Sequence, residues 1–497
     1  MASKAEGTAL EQVRERLAEI ADLEAAGGLL GWDRETMMPA AGAAPRGEVL
    51  ATLDKLAHER QSDPRLRELL AAAGGEASAE RDAAIVRVAT RDADRATRIP
   101  PELVVESARA TAAALPAWAA ARETNDFERF RPHLERQVEL ARDVAACFPE
   151  AEQPYDALLD VYEPGATAAS VREVFARLSD GLVPLVAEIA ERPIPAGLPA
   201  PLAEAGQRVL ALEMARCIGF DEARWRLDDA VHPFQQSVSR TDIRVTARWD
   251  EHDLSGVYSV LHEVGHGLYE SGVSPDLDRT TLGAGVSLGI HESQSRMWEN
   301  QVGRSAAFWE HWLPRAQELL PSLGGLGVAE ITRAVNVVQP TLIRVEADEA
   351  TYALHVILRF ELEIALLDGT LAPGDVPAAW NERITALLGI EVPDDAHGCL
   401  QDIHWASGLL GYFPTYALGN IVSGQLWQAA SAALGDLDAA LAAGDCAPLR
   451  DWLREHVHQY GRTVEPADLL RRATGSDLDP RPLLDYLRAK YTALYGL

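Results

Sequence analysis

Five residues in the middle of the chain, His262-Glu263-Val264-Gly265-His266, constrain its fold more than any other segment. They read H-E-x-x-H inside an apolar stretch, and positions i and i+4 lie on one face of an α-helix. Two imidazoles at this spacing bind one zinc ion, and the glutamate between them is placed to accept a proton from water at the metal. We therefore predict a buried metal-binding helix with His262 and His266 as ligands and Glu263 as general base.

The motif fixes only three positions, so by itself it leaves open an ordinary surface helix with two histidines. Three further features favour a metal site. The surrounding pattern is that of a buried helix, and nine of the thirteen histidines lie between His232 and His404. A second segment that contains an acidic residue follows at a distance suited to a third ligand.

Spacing excludes two common classes of zinc peptidase. The metzincin pattern requires glycine at position 269 and histidine at position 272, where the chain has Tyr269 and Gly272. The spacing typical of zinc aminopeptidases would place a glutamate near position 285, which is Gly285. The third ligand must therefore come from a different segment, because a catalytic zinc site normally has three protein ligands and one open position.

The segment Ile290-His291-Glu292-Ser293, which opens a new helix after a glycine-rich connection, is the remaining source of a third ligand. We predict that Glu292 binds the metal. His291 is the alternative ligand, and otherwise it supports a ligand or packs nearby. Glu270 lies one turn beyond the zinc motif, where it either supports a ligand or is solvated.

The charge balance limits the classes of partner. Lys and Arg number 46 against 76 Asp and Glu, which gives a net charge of −30. A charge of this sign argues against nucleic acid or an anionic membrane as a partner. No window approaches the about 18 uninterrupted apolar residues of a membrane span.

The cysteines and the first residues indicate the compartment. The four cysteines form no C-x-x-C pair, which argues against a thiolate metal site and favours a reducing compartment over a disulfide framework. The first seven residues lack the charged-then-apolar pattern of a secretory signal. We therefore expect a soluble, cytoplasmic protein.

Most of the chain has the composition and the three- and four-residue apolar spacing of α-helices. We predict an all-α fold, mostly helical, with helices at 9–30, 46–72, 78–93, 102–123, 127–148, 170–191, 329–338, 342–367, 376–388 and within 419–497. The proline-rich segment 192–201 is the best candidate for a linker between lobes.

Alternating, β-branched residues within 235–250 predict a short strand pair before the zinc helix. This sheet either offers an edge to a peptide substrate or only braces the helix.

Separate motifs along most of the chain point to one family. They are W-D-R-E-T-M-M-P at 32–39, H-P-F at 232–234, D-I-R-V-T at 242–246, H-E-V-G-H at 262–266, H-E-S-Q at 291–294, I-R-V-E-A-D at 343–348 and G-C-L-Q-D-I-H-W at 398–405. In this order the set closely resembles the metallocarboxypeptidases of the carboxypeptidase Taq type (M32). No residue that the chemistry requires departs from the family's pattern.

The resemblance implies a two-lobed helical molecule with a deep groove, similar to neurolysin and angiotensin-converting enzyme, with the small sheet beside the zinc helix. We expect one peptidase unit over 1–497, in which the helices of 1–200 roof the groove and 201–497 carry the catalytic part. The resemblance also implies a homodimer and one Zn²⁺ per chain, with Co²⁺ as a substitute. The expected reaction is hydrolysis of the C-terminal peptide bond of peptides or unfolded tails, with broad specificity.

The resemblance also suggests roles for residues beyond the metal ligands. Arg344 is expected to bind the terminal carboxylate of the substrate, since a guanidinium matches a carboxylate. The alternative is a helical pair between Arg344 and Asp348. His404 and Tyr416 are the candidate donors to the oxyanion, and Tyr412 competes with Tyr416 for that role and is otherwise a substrate contact.

Two further predictions concern the segment before the zinc helix. His232 contacts the substrate backbone or is an ordinary structural histidine. Asp242 and Arg244 form an ion pair that supports the cleft.

Two rival functions remain open at this point. An endo-oligopeptidase on the same fold would cut internal bonds and would not need Arg344. A helical interaction protein with a vestigial zinc site is a rival of another class, which the presence of Glu263 argues against.

Overall fold

The computed structural model describes residues 7–497, and helices dominate these residues. The helices before the sheet are α1 (Ala9–Thr36), α2 (Ala43–Gln61), α3 (Pro64–Ala73), α4 (Glu80–Arg98), α5 (Pro101–Thr124), α6 (Phe127–Ala146), α7 (Pro154–Leu159), α8 (Ala168–Ala190) and α9 (Glu204–Ile218). The linker predicted at 192–201 is indeed non-helical.

The second half of the chain contains the sheet and the remaining helices. The strands are β1 (Trp225–Asp229), β2 (Gln235–Ser239) and β3 (Asp242–Ala247). The helices are α10 (Ser255–Gly272), α11 (Leu288–Arg296), α12 (Ala306–Leu319), α13 (Val328–Ala334), α14 (Tyr352–Asp368), α15 (Val376–Leu388), α16 (Pro414–Leu434), α17 (Leu437–Ala442), α18 (Ala447–His456), α19 (Pro466–Thr474) and α20 (Arg481–Tyr495). Within residues 7–497, no helix is both long enough and apolar enough to cross a membrane.

The helix predicted over 46–72 is divided by a capping residue. The Asp63 side chain accepts a hydrogen bond from Arg65 N at 2.8 Å, and Pro64 occupies the first position of α3. Proline disfavours helix in the residue before it, and aspartate is a preferred N-cap. The chain therefore ends α2 at Gln61 and starts a second helix.

The predicted strand pair is confirmed, and it belongs to a larger sheet. β3 lies at the centre, antiparallel to β2 and parallel to β1, in the order β1-β3-β2. The zinc-motif helix α10 packs on this sheet so closely that a Cβ on Gly267 would lie 2.5 Å from the Trp225 ring. The sheet therefore braces the helix that carries the metal motif.

Two large hydrophobic clusters form most of the core. One joins α5–α8, α14, α15, α20 and the start of α16, and the other surrounds the sheet with α9, α10, α12 and the end of α16. A smaller cluster joins α1, α3 and α4 to Val273, Leu277 and Leu282, just after α10. The N-terminal helices are thereby attached beside the zinc-motif helix.

The continuous helix predicted over 342–367 is wrong at its start. Residues Arg344–Glu346 form a 3₁₀ turn, and α14 begins only at Tyr352. The Asp348 carboxylate accepts hydrogen bonds from the backbone N of Gln339, Ala350 and Thr351 at 2.9–3.1 Å. An aspartate that satisfies backbone donors in this way favours a turn over a helix interior.

All four cysteines are free thiols. The sulfur atoms of Cys217 and Cys446 nevertheless lie 3.2 Å apart, where α9 ends and α18 begins. Burial raises the pKa of the Cys399 thiol well above its usual value.

Candidate active site

Two helices that pass very close to each other carry the predicted metal ligands. His262, Glu263 and His266 lie on α10, and Glu292 lies on α11. At the crossing, a Cβ on Gly265 would lie only 2.7 Å from Ser295 Cα. The lack of a side chain at this position lets the two imidazoles and the carboxylate converge.

The spacing of the three side chains fits a divalent ion. Glu292 Oε2 lies 3.7 Å from His262 Nε2 and 3.4 Å from His266 Nε2. Ligand atoms about 2.0–2.1 Å from a tetrahedral ion are roughly 3.3 Å apart. The three side chains can therefore bind one metal ion, and their ligand atoms all lie within 4.8 Å of one another.

Each imidazole is oriented by a partner at its second nitrogen. His262 Nδ1 donates to Glu299 Oε2 at 2.9 Å. His266 Nδ1 lies 2.6 Å from His291 Nδ1, and His291 Nε2 donates to Glu270 Oε1 at 2.8 Å. The carboxylates can only accept, so the proton of each ligand imidazole lies on Nδ1, for His266 through the relay of His291. Both Nε2 atoms therefore keep a lone pair that faces the metal position.

These contacts answer the alternatives that the sequence left open for this region. His291 lies on the far side of His266 from Glu292, so the geometry favours a supporting role over that of a ligand. Glu270 belongs to the same supporting chain. The role of Glu299, which orients His262, was not predicted from the sequence.

The carboxylate of Glu292 is held by its own helix. Its Oε1 accepts from Arg296 Nε at 2.7 Å, while Oε2 faces the imidazoles. Burial alone would raise the pKa of Glu292, but the charge of Arg296 and the neighbouring imidazoles lower this pKa well below its usual range. The group is therefore ionised, as a metal ligand must be.

Glu263 is buried beside the ligands. Burial raises its pKa to about 7, and the nearby Glu292 and Glu299 carboxylates add to the increase. A carboxylate with a pKa near neutrality suits a general base.

Arg344 is buried, and its partner differs from the one considered above. Its Nε and Nη2 donate to Asp402 Oδ1 at 3.1 and 2.8 Å, and Nη1 donates to Tyr352 OH at 3.1 Å. The predicted alternative of a helical pair with Asp348 is wrong, because Arg344 lies in the 3₁₀ turn. The Arg344 guanidinium carries more N–H donors than these contacts use. Within residues 7–497, some of its N–H groups therefore have no hydrogen-bond partner.

Asp402 is shared between two arginines. Its Oδ2 accepts from Arg359 Nε at 2.6 Å, and Arg359 is completely buried. Burial would raise the pKa of Asp402, but Arg359 and Arg344 lower this pKa far below its usual value. Burial and the two guanidiniums also lower the pKa of His404 to about 4, so its imidazole is neutral. One positive charge therefore remains uncompensated in this buried cluster.

His404, Tyr412 and Tyr416 form an aromatic group next to Arg344. His404 Nε2 lies 3.3 Å from Tyr416 OH, and the two tyrosine rings are 5.3 Å apart. The Arg344 guanidinium lies 5.0 Å from the Tyr416 ring. The sequence-predicted oxyanion donors and the predicted carboxylate-binding arginine are thus neighbours.

The loop between His404 and Tyr416 is anchored by a buried carboxylate. Glu363 accepts from Trp405 Nε1 at 2.9 Å, from Gly411 N at 3.0 Å and from Tyr155 OH at 2.8 Å. The supporting roles of Glu363, Asp402 and Arg359 were not predicted from the sequence. Only Asp402 had a local signal, its place in the Q-D-x-H-W motif.

The two predictions before the zinc helix have different outcomes. The ion pair is confirmed, with Arg244 Nε 2.6 Å from Asp242 Oδ1, and its guanidinium also lies 4.5 Å from the Trp32 ring of α1. His232 is exposed in the loop between β1 and β2, next to Phe234, whose backbone pairs with Thr246. The substrate contact predicted for His232 stays a prediction.

A mostly helical chain with an H-E-x-x-H helix and a convergent glutamate on the following helix defines a metallopeptidase. The chain belongs to the carboxypeptidase Taq (M32) metallopeptidase family, whose sequence profile matches residues 12–491. The predictions of the family, of the mostly helical fold and of a carboxypeptidase are thereby confirmed.

Similar proteins agree over the full length. The chain is 42% identical over 505 aligned positions to the thermostable carboxypeptidase 1 of Thermus thermophilus, which covers 98% of this chain and 99% of that protein. It is similar to the crystal structure of an M32 carboxypeptidase from Deinococcus radiodurans R1, with a TM-score of 0.97, 41% identity, and coverage of 98% and 100%. The Trypanosoma cruzi metallocarboxypeptidase 1 is similar at a TM-score of 0.94 and 32% identity, with coverage of 97% and 99%. The chain is therefore a metallocarboxypeptidase, a peptide hydrolase whose family implies a metal ion.

Proposed function

We propose that this metallocarboxypeptidase binds one Zn²⁺ per chain through His262, His266 and Glu292, and removes the C-terminal residue of peptides and unfolded tails with broad specificity. Two imidazole nitrogens and one carboxylate are a donor set suited to catalytic zinc, and Co²⁺ would fit the same ligands. When bound, the ion polarises the scissile carbonyl and makes water more acidic.

Glu263 acts as the general base. It follows His262 on α10, is 7% exposed and has the metal ligands His262 and Glu292 as charged neighbours, so its carboxylate is close to the metal position and largely shielded from bulk water. It accepts the proton of the attacking water and then delivers that proton to the leaving amine.

Arg344 binds the terminal carboxylate of the substrate, and its geometry carries the assignment of exopeptidase action. Asp402 neutralises only one of the two guanidiniums that it contacts, so the pair formed with Arg359 leaves the charge of Arg344 for a ligand. The unpartnered N–H groups of Arg344 match the two oxygens of a carboxylate. An internal segment of a peptide offers no such charge.

Tyr416 and His404 stabilise the oxyanion. Burial raises the pKa of Tyr416 well above its usual value, so the phenol stays protonated and donates. Tyr412 lies beside it and contributes to substrate binding, and His232 contacts the substrate backbone from the exposed loop before β2. Preorganised donors of this kind stabilise charge that develops in the transition state.

The N-terminal helices roof the groove and exclude folded proteins. The Trp32 side chain supports this proposal, because the guanidiniums of Arg226 and Arg244 lie 4.9 and 4.5 Å from its ring, and these contacts hold α1 on the sheet. A homodimer in the cytoplasm remains a prediction from the resemblance and from the composition.

The test compares a peptide that has a free C-terminus with the same peptide as its C-terminal amide. Mass spectrometry should show stepwise loss of single residues from the acid, suppressed by a chelator and restored by Zn²⁺. The amide should be cleaved far more slowly. Arg344→Met should reduce kcat/KM for the acid by roughly 100-fold, in the range for loss of a buried charge partner, with little change for the amide.

Arg315→Met is the control for loss of an arginine, since Arg315 pairs with Glu213 and Glu318 on the surface. It should leave the acid-to-amide ratio unchanged. Equal cleavage of acid and amide by the wild-type enzyme, with internal fragments as products, would establish an endo-oligopeptidase instead.

A further inference from the structure

One tyrosine connects the carboxylate-binding arginine to a metal ligand. Tyr352 OH accepts from Arg344 Nη1 at 3.1 Å, and the face of its ring lies 4.2 Å from the Arg296 guanidinium. Arg296 Nε in turn donates to Glu292 Oε1 at 2.7 Å. The path from Arg344 to Glu292 therefore runs through a single side chain and one further arginine.

The tyrosine is well suited to hold this geometry. It is the first residue of α14 and is only 6% exposed. The preceding Thr351 is bound to Asp348 through both its backbone N and its hydroxyl, at 3.0 and 2.9 Å. A buried aromatic ring with few rotatable bonds, at a fixed helix start, allows little movement between its two contacts.

The contact also bridges the two large hydrophobic clusters. Tyr352 belongs to the cluster around α14, whereas Ile290 and Met297, which flank Glu292 and Arg296, belong to the cluster around the sheet. Asp402 orients Arg344 as well, but its other partner is Arg359 of α14, so it fixes Arg344 only within the first cluster. The bridge through Tyr352 to Arg296 relates Arg344 to the metal ligand on the other cluster.

We propose that Tyr352 is a positioning residue that fixes the separation between Arg344 and the metal site, and thereby selects the last peptide bond for cleavage. The inference rests on the proposed role of Arg344. An exopeptidase must hold the carboxylate-binding group one residue away from the scissile carbonyl, and a misplacement of about 1 Å costs on the order of 100-fold in rate. The hydroxyl orients Arg344, and the ring supports Arg296 and through it Glu292.

Two substitutions separate these two contacts. Tyr352→Phe removes the hydroxyl and keeps the ring, so KM for a free-acid peptide should rise roughly tenfold, the scale of a hydrogen bond to a charged group. Its cleavage of the matching amide and its affinity for Zn²⁺ should stay unchanged. Tyr352→Leu also removes the ring, and competition with a chelator should show that its affinity for Zn²⁺ is weaker by roughly tenfold or more.

The control is Tyr495→Phe, which also removes a phenol that accepts a hydrogen bond, here from Val338 N at 2.7 Å, outside the candidate site. It should leave KM and the acid-to-amide ratio unchanged. If Tyr352→Phe lowers cleavage of acid and amide by the same factor, or lowers only the melting temperature, the side chain is merely structural and the inference is wrong.

The outcome for the wild-type enzyme separates the two proposals. A wild-type enzyme without preference for the acid refutes the role of Arg344 and, with it, the role of Tyr352. A wild-type preference that Tyr352→Phe leaves intact refutes only the role of Tyr352.

Discussion

Replacing Gly265 with alanine should weaken metal binding without touching any ligand. A Cβ at this position would lie 2.7 Å from Ser295 Cα and 2.8 Å from Gln294 O, both backbone atoms of α11. Carbon atoms in contact are about 3.5–4.0 Å apart, so α10 and α11 must separate by roughly 0.8 Å. Metal–ligand distances tolerate only about 0.2 Å. Since α11 carries Glu292 and α10 carries both histidines, affinity for Zn²⁺ should fall by roughly 10–100-fold.

The same substitution should also destabilise the fold, although alanine is the better helix former. Overpacking against backbone costs about 1–3 kcal/mol, which exceeds the gain of about 1 kcal/mol from helix propensity. Chelator competition measures the affinity, and denaturant unfolding of the metal-free protein measures the stability. Gly27→Ala in α1 is the matched control, because its Cβ would meet nothing within 4 Å, and it should be neutral or stabilising. A Gly265→Ala protein with wild-type affinity and raised stability would refute the argument from close approach.

Two further predictions concern carboxylates. Glu263→Gln should keep its affinity for Zn²⁺ in chelator competition while kcat falls by roughly 10²–10⁴-fold, the usual contribution of a general base; loss of the metal together with activity would contradict this role. Burial raises the pKa of Glu163, which accepts from Gly289 N, to about 8. Because this folded-state pKa lies above the unfolded value, its stabilising contribution is full below about pH 4.5 and is lost as pH rises through about 8. The melting temperature of the wild-type protein should therefore fall relative to that of Glu163→Gln between pH 5 and pH 8.5, and parallel curves would contradict the shift.

Much of the helical fold could be predicted from the sequence because its signals are local. Apolar spacing located α5, α6, α8 and α15 to within two residues at each end, whereas α7, α9 and α12 were not predicted. The strand pair was recognised from alternation. β1 was missed because Trp-Arg-Leu-Asp-Asp has no clear alternation, and it becomes a strand only by pairing in parallel with β3. Such pairing depends on contacts distant in sequence, which a local pattern does not contain.

The metal ligands could be predicted because their geometry depends on residues close in sequence. The residues that support the site could not, because they come from distant segments. His262 and His266 share one helix, so their geometry follows from the spacing alone, and Glu292 follows from elimination among nearby segments. The residues that orient Arg344, namely Asp402 and Tyr352, lie 58 and 8 positions away. The i, i+4 rule suggested Asp348 because it assumes a helix that the Asp348 side chain itself prevents.

The arrangement of charges around Arg344 also resolves an apparent conflict in the composition. A net charge of −30 repels the carboxylate of an approaching peptide terminus, but in physiological salt such repulsion decays over about 8 Å. Recognition therefore has to act at short range, from a cation that solvent does not screen. Arg344 is 5% exposed, and Asp402, already paired with Arg359, cannot cancel its charge. A substrate carboxylate that reaches this position neutralises the remaining positive charge. The acidic surface and the selection of a free C-terminus are therefore compatible.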